Sequence, residues 1–280
     1  MHDLVGSPLV GHSTIDPLST GKIGLLDADW LKYVITHRVF KSSEGKKHFV
    51  DPIPILEKEL ARFFGMVADP VIFCFSGPSS NTFRYGVGFE KEYKGNRRGK
   101  EDPYHYDRKT DDMMAILEHI QKTYVSLMFP DLEADDIVSA LQDDRTYIIS
   151  RDKDLLQVPG HHYDPSTNGL KLITNEEALQ SLASQMITGD NTDNISGIPG
   201  RGPKAAEKLI NESQVKNLPM KVLRMYMEKY GILHGLDAFC ENYMLIKVRE
   251  DRGEHFRDKY RLMFDTKEMV FNNLKKQAGL

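Results

Sequence analysis

The sequence has few cysteines and no long apolar run, and each of these absences excludes a class of protein. Its 280 residues include two cysteines, Cys74 and Cys240, too few for a disulfide scaffold or a four-thiolate zinc site. No stretch approaches the roughly 18 apolar residues of a membrane span, and no signal-peptide pattern precedes residue 20. We therefore expect a protein of a reducing compartment, the cytoplasm, without a membrane partner.

Acidic residues are concentrated in the middle of the chain, although the net charge is only −4. Residues 127–160 carry eight acids against three bases. Residues 84–109 carry eight bases against five acids, and residues 201–229 carry seven bases against three acids. Basic arms around an acidic centre suit an enzyme that binds a polyanion and concentrates cations between the arms. Ordinary patchiness of surface charge explains the same pattern equally well when charge is considered alone.

Short apolar runs alternate with helical patterns over most of the chain. Buried strands are predicted at 22–26, 71–75 and 146–149, and a hairpin at 161–174. Helices are predicted at 30–40, from 52, at 111–128, 133–141 and 175–188, the last with Asn175 as its cap, and from 204 onward. Strands separated by helices predict an α/β fold with a mostly parallel central sheet that helices cover on both faces.

We expect three parts along the chain. Residues 1–21 are an N-terminal extension to which the sequence assigns no structure, residues 22–188 are an α/β core, and residues 189–280 are a helical C-terminal region. Residues 77–112, here called the arch segment, are rich in Gly, Arg, Lys and Tyr and have no steady period. This composition favours an exposed and partly mobile excursion from the core.

Carboxylates follow the ends of the predicted strands or open the next helix. The eight candidates are Asp27, Glu133, Asp135, Asp136, Asp152, Asp154, Asp190 and Asp193. Ligands gather at the C-terminal ends of parallel strands, so these side chains are expected to converge. Oxygen-only ligands favour Mg²⁺ or Mn²⁺ over zinc. Two such ions roughly 4 Å apart are a common clamp for hydrolysis of a phosphodiester.

Each acidic group also has a simpler explanation. The acids at 133–136 could stabilise a helix N-terminus, and those at 152–154 could be an N-cap and its neighbour. The acids at 190–193 could be turn residues, and Asp27 an ordinary strand-end acid. These explanations lose weight together, because all four groups fall at the same predicted edge of the sheet.

A glycine-rich loop from Gly197 to Lys204 suits a phosphate backbone. Gly200 and Gly202 permit close backbone approach. Pro203 at a first helical position leaves free N–H groups that attract a phosphate. We expect this helix–turn–helix to hold duplex DNA without reading bases, and the alternative is an ordinary connection between two helices.

Five segments in order resemble the 5′-nuclease (flap endonuclease) family, which includes phage 5′-exonucleases and the N-terminal domain of bacterial DNA polymerase I. They are Leu25-Leu-Asp27, Glu92-Tyr-Lys-Gly-Asn-Arg97, Leu132-Glu-Ala-Asp-Asp136, Ser150-Arg-Asp-Lys-Asp-Leu-Leu156 and the run from Gly189 to Lys204. The match covers about two thirds of the chain, from Lys22 to Leu209. The resemblance implies a PIN/FEN-like fold with a helical arch and a C-terminal helix–hairpin–helix region.

The resemblance also implies a role for each matching residue. A first metal would be held by Asp27, Glu133 and Asp135, a second by Asp152, Asp154 and Asp190, with Asp136 and Asp193 in support. Lys94 and Arg97 would be catalytic and contact the scissile phosphate. DNA would also be contacted by Arg84, Tyr93, Gly197, Gly200, Gly202 and Lys204. Tyr93 would stack on an unpaired base, or alternatively pack within the arch.

One position departs from the family pattern. The family usually places an acid after the second strand, whereas Ser76 stands at that position here. The serine hydroxyl, or a water that it positions, would then substitute, and activity would need a higher metal concentration.

The function that the resemblance implies is a metal-dependent 5′→3′ exonuclease and 5′ flap endonuclease in DNA replication or repair. It would use two Mg²⁺ ions, with Mn²⁺ as a substitute and a K⁺ ion at the helix–hairpin–helix. Its partners would be branched or 5′-ended duplex DNA and RNA–DNA primers, bound by a monomer. The alternatives are a catalytically weakened DNA-structure-binding member of the same family and a ribonuclease of the small α/β toxin type. The length is typical of phage-encoded or free-standing bacterial members.

Overall fold

A six-stranded sheet lies at the centre of the computed structural model, which describes residues 17–44, 49–78, 82–87, 90–98 and 101–248. The strands are β1 (Ile23–Asp27), β2 (Val71–Ser76), β3 (Ser126–Phe129), β4 (Thr146–Ile149), β5 (Gly160–Asp164) and β6 (Gly169–Ile173). Their order is β3-β2-β1-β4-β5-β6, and every neighbouring pair is parallel except the β5–β6 hairpin. The predicted α/β fold with a mostly parallel sheet is confirmed.

Helices cover both faces of this sheet. They are α1 (Asp29–Ser43), α2 (Pro52–Phe64), α3 (Lys109–Thr123), α4 (Ala134–Leu141), α5 (Asn175–Thr188), α6 (Pro203–Asn211), α7 (Leu218–Tyr230) and α8 (Ile232–Ile246). Successive strand residues point to opposite faces, so Leu26 packs with α1, α2 and α3, whereas Leu25 packs in the core that includes α4, α5, α7 and α8. No helix in the described part of the chain is long and apolar enough to cross a membrane.

Two local expectations differ from the structure. Residues 126–129 form strand β3 and not the end of a helix, although Tyr124 and Leu127 continue the helical spacing of α3. Pairing of β3 with β2 overrides that local pattern. The cap of α5 is Thr174, one residue earlier than predicted, because its hydroxyl accepts the N–H of Glu177 in a capping box.

Part of the arch segment packs on the core, while its described residues 90–92, 97–98 and 101–103 are exposed. Its described residues contain 3₁₀ turns at Phe83–Gly86 and Gly95–Arg97, followed by the first turn of α3. Phe83, Val87 and Tyr93 are buried in the core that contains α4 and α8. The apolar side chains between the glycines and bases therefore draw the segment onto the protein. The predicted boundary after residue 188 stays a prediction, and the extension before residue 17 and the tail after residue 248 lie outside the described residues.

Candidate metal centre

The predicted acidic residues meet at the C-terminal edge of the parallel strands. Asp27 is the last residue of β1 and is half-buried. Its neighbour β4 pairs with β1 up to Ile149, and the next residue, Ser150, donates a hydrogen bond of 3.3 Å from its hydroxyl to the Asp27 carboxylate. The ends of two central strands therefore place Asp27 beside the turn that contains Asp152, as the parallel topology predicted.

The first acidic group lies at the N-terminus of α4. One carboxylate oxygen from each of Glu133, Asp135 and Asp136 lies within 4.8 Å of the others. Glu133 and Asp136 form a capping box, and the Ala134 N–H donates to Ser76 Oγ at 2.9 Å. Acidic side chains are favoured at a helix N-terminus, so local structure and the metal-site hypothesis use the same residues.

Arg84 binds this first group from inside the protein. Its guanidinium donates to both Asp136 oxygens at 2.7 and 2.8 Å and to Glu133 at 2.6 Å, and it lies 3.7 Å from Asp135. The residue is 1% exposed. Arg84 therefore has no surface to offer to DNA, and the prediction that it contacts DNA is corrected: its charge is used internally.

The second acidic group comes from two short elements. Asp152 caps the 3₁₀ turn Lys153–Gln157 by accepting the N–H of Asp154 at 2.8 Å. Asp190 belongs to a small antiparallel hairpin of β7 (Gly189–Asp190) and β8 (Ile195–Ser196), whose loop contains Asp193. The Lys153 ammonium lies 2.8 Å from the Asp190 carboxylate and joins the two elements.

Two glycines allow the β7–β8 hairpin to reach the site. A Cβ built on Gly189 would lie 2.2 Å from the Gly197 nitrogen, and one on Gly197 would lie 2.3 Å from the Thr188 carbonyl carbon. Gly189 also has a φ of 69°. Both positions therefore require glycine, so Gly197 has a packing role in addition to its predicted DNA contact.

The two acidic groups face one small cavity. Its volume is about 20 Å³, and its walls include Asp135, Asp154, Asp190 and Asp193. This is room for a water-sized species. The Tyr93 hydroxyl lies 2.9 Å from carboxylate oxygens of both Glu133 and Asp193, so it links the groups directly. The structure thus brings together the predicted carboxylates, while their roles as metal ligands stay predictions.

Burial, and after it crowded negative charge, raises the pKa of several of these carboxyl groups. Burial, with Asp29 and Asp152 nearby, raises the pKa of Asp27 to about 7. Burial and the neighbouring Asp152 and Asp190 raise the pKa of Asp154 to about 7. Burial is also the main reason that the pKa of Asp135 is well above its ordinary value. A bound cation would favour the ionised form of each group.

Glu133 shows the opposite behaviour because two bases contact it. Burial alone would raise its pKa, but Arg84 and Lys94 lower the pKa of Glu133 to about 2. The Lys94 ammonium lies 2.5 Å from Glu133 Oε1 and 3.8 Å from Asp193. One of the two predicted catalytic bases therefore lies in the acidic site itself.

The arch segment is hydrogen-bonded to the β7–β8 loop across this site. The Lys94 N–H donates to the Asp193 carbonyl at 2.8 Å, and the Asn96 amide donates to the Asn191 carbonyl at 2.6 Å. Arg97, the second predicted catalytic base, lies 2.6 Å from the Asp193 carboxylate and keeps 44% of its side chain exposed. Lys94 and Arg97 therefore both lie beside Asp193, which lines the cavity, and Arg97 is open to solvent there.

Tyr93 is placed differently from its predicted role as a base-stacking residue. It is 3% exposed, its ring packs edge-to-face on Tyr85, and its hydroxyl is held by the acids. Packing within the arch segment, the alternative interpretation, describes this arrangement. Gly200, Gly202 and Lys204 are exposed around the N-terminus of α6, where they are available to a ligand.

Sequence reasoning missed two polar residues at the site. Asp29 accepts the Ser76 N–H at 3.2 Å, so a carboxylate stands beside the position where the family has an acid. Its spacing of two residues from Asp27 was the available signal. Lys153 lies between Asp152 and Asp154 in the sequence and forms an ion pair with Asp190. Because the sequence motif was considered only for its acidic residues, this ion pair was not predicted.

The side chains of this site fit a divalent metal. The donors are carboxylate oxygens, the donor type preferred by Mg²⁺ and Mn²⁺. At least three of the carboxyl groups, Asp27, Asp135 and Asp154, have raised pKa values in the absence of a compensating cation. The donor chemistry therefore supports the predicted acidic cluster as a site for a cation. The identity and number of the metal ions stay predictions.

Comparisons with known proteins agree with the sequence motifs. No protein-family model matches the chain. Over 194 residues it is 29% identical to a 5′-3′ exonuclease of Mycoplasmopsis pulmonis, covering 64% of this chain and 63% of that protein. Over 185 residues it is 25% identical to the flap endonuclease Xni of Shewanella oneidensis, covering 57% of this chain and 66% of that protein. The matched regions span less than two thirds of the length of these relatives.

A solved structure shows the same fold. The crystal structure of a T5 protein co-crystallised with metal ions has a TM-score of 0.60 and 15% identity, covering 89% of this chain and 98% of that chain. The predicted resemblance to the 5′-nuclease family is confirmed by curated relatives that bear the names of 5′-3′ exonucleases and a flap endonuclease.

Proposed function

We propose that this protein is a metal-dependent 5′→3′ exonuclease and 5′ flap endonuclease that hydrolyses DNA in replication or repair. The observation that carries the proposal is the convergence of carboxylates from four separate segments at one edge of the sheet, three of which line one cavity. So many clustered acids are costly unless cations compensate them. The relatives described above support phosphodiester hydrolysis as the chemistry.

Two Mg²⁺ ions, with Mn²⁺ as a substitute, are the proposed cofactors. The first would be held by Asp27, Glu133 and Asp135, and the second by Asp152, Asp154 and Asp190. Bound there, they would supply charge stabilisation and an activated water. Arg84 compensates Asp136 internally, which leaves Asp136 to hold α4 in place.

The chain's own bases would act on the phosphate. Lys94 and Arg97 contact the acids at 2.5 and 2.6 Å. Transfer of these contacts to a phosphate would place an ammonium and a guanidinium where negative charge develops. The loop from Gly197 to Lys204, which is exposed from residue 199 onward, would hold the adjacent duplex through its backbone, with a K⁺ ion at its carbonyls. The substrates would be branched or 5′-ended DNA and RNA–DNA primers, bound by a cytoplasmic monomer.

Cleavage of a 5′-labelled flap duplex tests the proposal. We expect Mg²⁺-dependent release of labelled product by the parent protein and a loss of at least about 100-fold in the double variant Asp152→Asn/Asp154→Asn. The matched control is Asp143→Asn/Asp144→Asn, which removes the same charge before β4, at the opposite edge of the sheet. Equal cleavage by both variants would refute the assignment.

A weakened, DNA-binding protein is the second candidate, because Ser76 supplies a hydroxyl where the family has an acid, and that hydroxyl already accepts the Ala134 N–H. Binding of the flap duplex without Mg²⁺-dependent cleavage would favour this candidate.

A further inference from the structure

The C-terminal end of α8 touches both acidic groups through two buried side chains. The last carbonyls of a helix lack partners within the helix. The Leu245 carbonyl accepts from Arg84 Nε at 3.0 Å, and the Ile246 carbonyl accepts from Gln157 Nε2 at 2.9 Å. Arg84 and Gln157 come from different parts of the chain, yet both bind the same helical turn.

Arg84 connects this turn to the first acidic group. One side of its guanidinium holds Asp136 and Glu133, while Nε bonds Leu245 and Nη2 lies 3.5 Å from the Lys247 carbonyl. A guanidinium has a planar, fixed donor geometry, so the position of its acceptors on α8 sets the position of its acceptors on α4. A buried ion pair of this kind is sensitive to its geometry.

Gln157 connects the same turn to the second acidic group. It is 3% exposed and ends the 3₁₀ turn that Asp152 caps and that contains Asp154. Its amide donates to the Ile246 carbonyl, and its oxygen accepts the Val248 N–H at 3.3 Å. Both polar ends of this side chain are thus used by the end of α8.

We propose that residues 245–248, here called the α8 brace, fix the spacing of the two acidic groups through Arg84 and Gln157. Both are positioning residues, because they act on the carboxylates and not on a substrate. This inference rests on the proposed function for its consequence, since the spacing of the groups decides how well they share divalent cations. It assigns a role in the site to α8, which contributes no predicted ligand.

Two variants of the full chain test the α8 brace. Arg84→Lys keeps the charge but loses the planar donor geometry of the guanidinium. Gln157→Leu keeps the size but loses the hydrogen bonds to Ile246 and Val248, together with the one that its amide donates to Gln185. We expect Arg84→Lys to bind Mn²⁺ about tenfold more weakly in calorimetry, the usual effect of losing an outer partner of a metal ligand. We expect Gln157→Leu to weaken Mn²⁺ binding in the same direction, through the brace. We also expect Gln157→Leu to raise hydrogen exchange at the amides of residues 133–137, which lie on the Arg84 side of the brace.

A destabilised control separates positioning from general loss of stability. Val39→Ala opens the core on the other face of the sheet, where Val39 is fully buried. The brace is supported if Gln157→Leu exceeds this control in exchange at residues 133–137 and is overturned if it equals it. Absence of Mn²⁺ binding by the parent protein would refute the proposed function, while the exchange comparison would still decide the brace.

Discussion

Replacement of Asp27 by asparagine is expected to stabilise the protein in the absence of metal. Burial and nearby acids raise the pKa of Asp27 from an ordinary value of 3.8 to about 7. Each pKa unit corresponds to about 1.4 kcal/mol, so keeping this carboxylate ionised costs the folded state up to about 4 kcal/mol. The Asp27→Asn amide retains part of the desolvation cost, and we expect a gain of about 2–4 kcal/mol at pH 8.

The sign of the pH dependence follows from the raised pKa. The folded protein binds the Asp27 proton more tightly than the unfolded chain, so this contribution to stability is complete below about pH 4. It is lost as the pH rises through about 7. The advantage of Asp27→Asn should therefore be present at pH 8 and largely absent at pH 4.

Urea denaturation in a chelator and in Mg²⁺ measures both effects. The parent protein should gain stability from Mg²⁺ at pH 8, and Asp27→Asn should lose most of that gain. The control is Asp69→Asn. Burial acts to raise the pKa of Asp69, but hydrogen bonds from Thr20 and Gly21 outweigh it and lower this pKa. Its replacement should therefore destabilise the protein. A lower unfolding free energy for Asp27→Asn than for the parent, in chelator at pH 8, would refute the reasoning.

Three further predictions concern the bases, the departing serine and the glycines. Lys94→Ala should lower the rate of flap cleavage about 100-fold at saturating Mg²⁺, while urea denaturation shows a fold that is still intact. Ser76→Asp should lower the Mg²⁺ concentration for half-maximal activity, since a carboxylate can still accept the Ala134 N–H, and an unchanged requirement would contradict this. Gly197→Ala should lower the melting temperature by several degrees because its Cβ meets backbone, whereas Gly202→Ala, with nothing within 4 Å, should not.

Much of the candidate site could be predicted because its ligands follow local signals. Asp27 ends an apolar run, and Asp152 follows another, so strand prediction alone placed both at one edge. The acids at 133–136 open a helix with an evident apolar face. Parallel topology then required these groups to converge.

The remaining features depend on tertiary packing that no local pattern encodes. Arg84 is an ordinary base in a polar segment, and only its contacts with Asp136 and α8 make it internal. Tyr93 is buried because its hydroxyl meets two carboxylates from distant parts of the chain. Strand β3 was hidden by helical spacing, since only pairing with β2 distinguishes it.

The central place of β1 has a consequence for how the molecule folds. Ile23 pairs with Thr146, so β1 completes its pairing only with a strand that lies more than 100 residues later in the chain. Contacts between such remote segments form slowly, because a long loop must close before any of them is gained. Early collapsed states would hold scattered acids with little affinity for cations. Mg²⁺ would then bind only at the end of folding, and bound Mg²⁺ would slow unfolding.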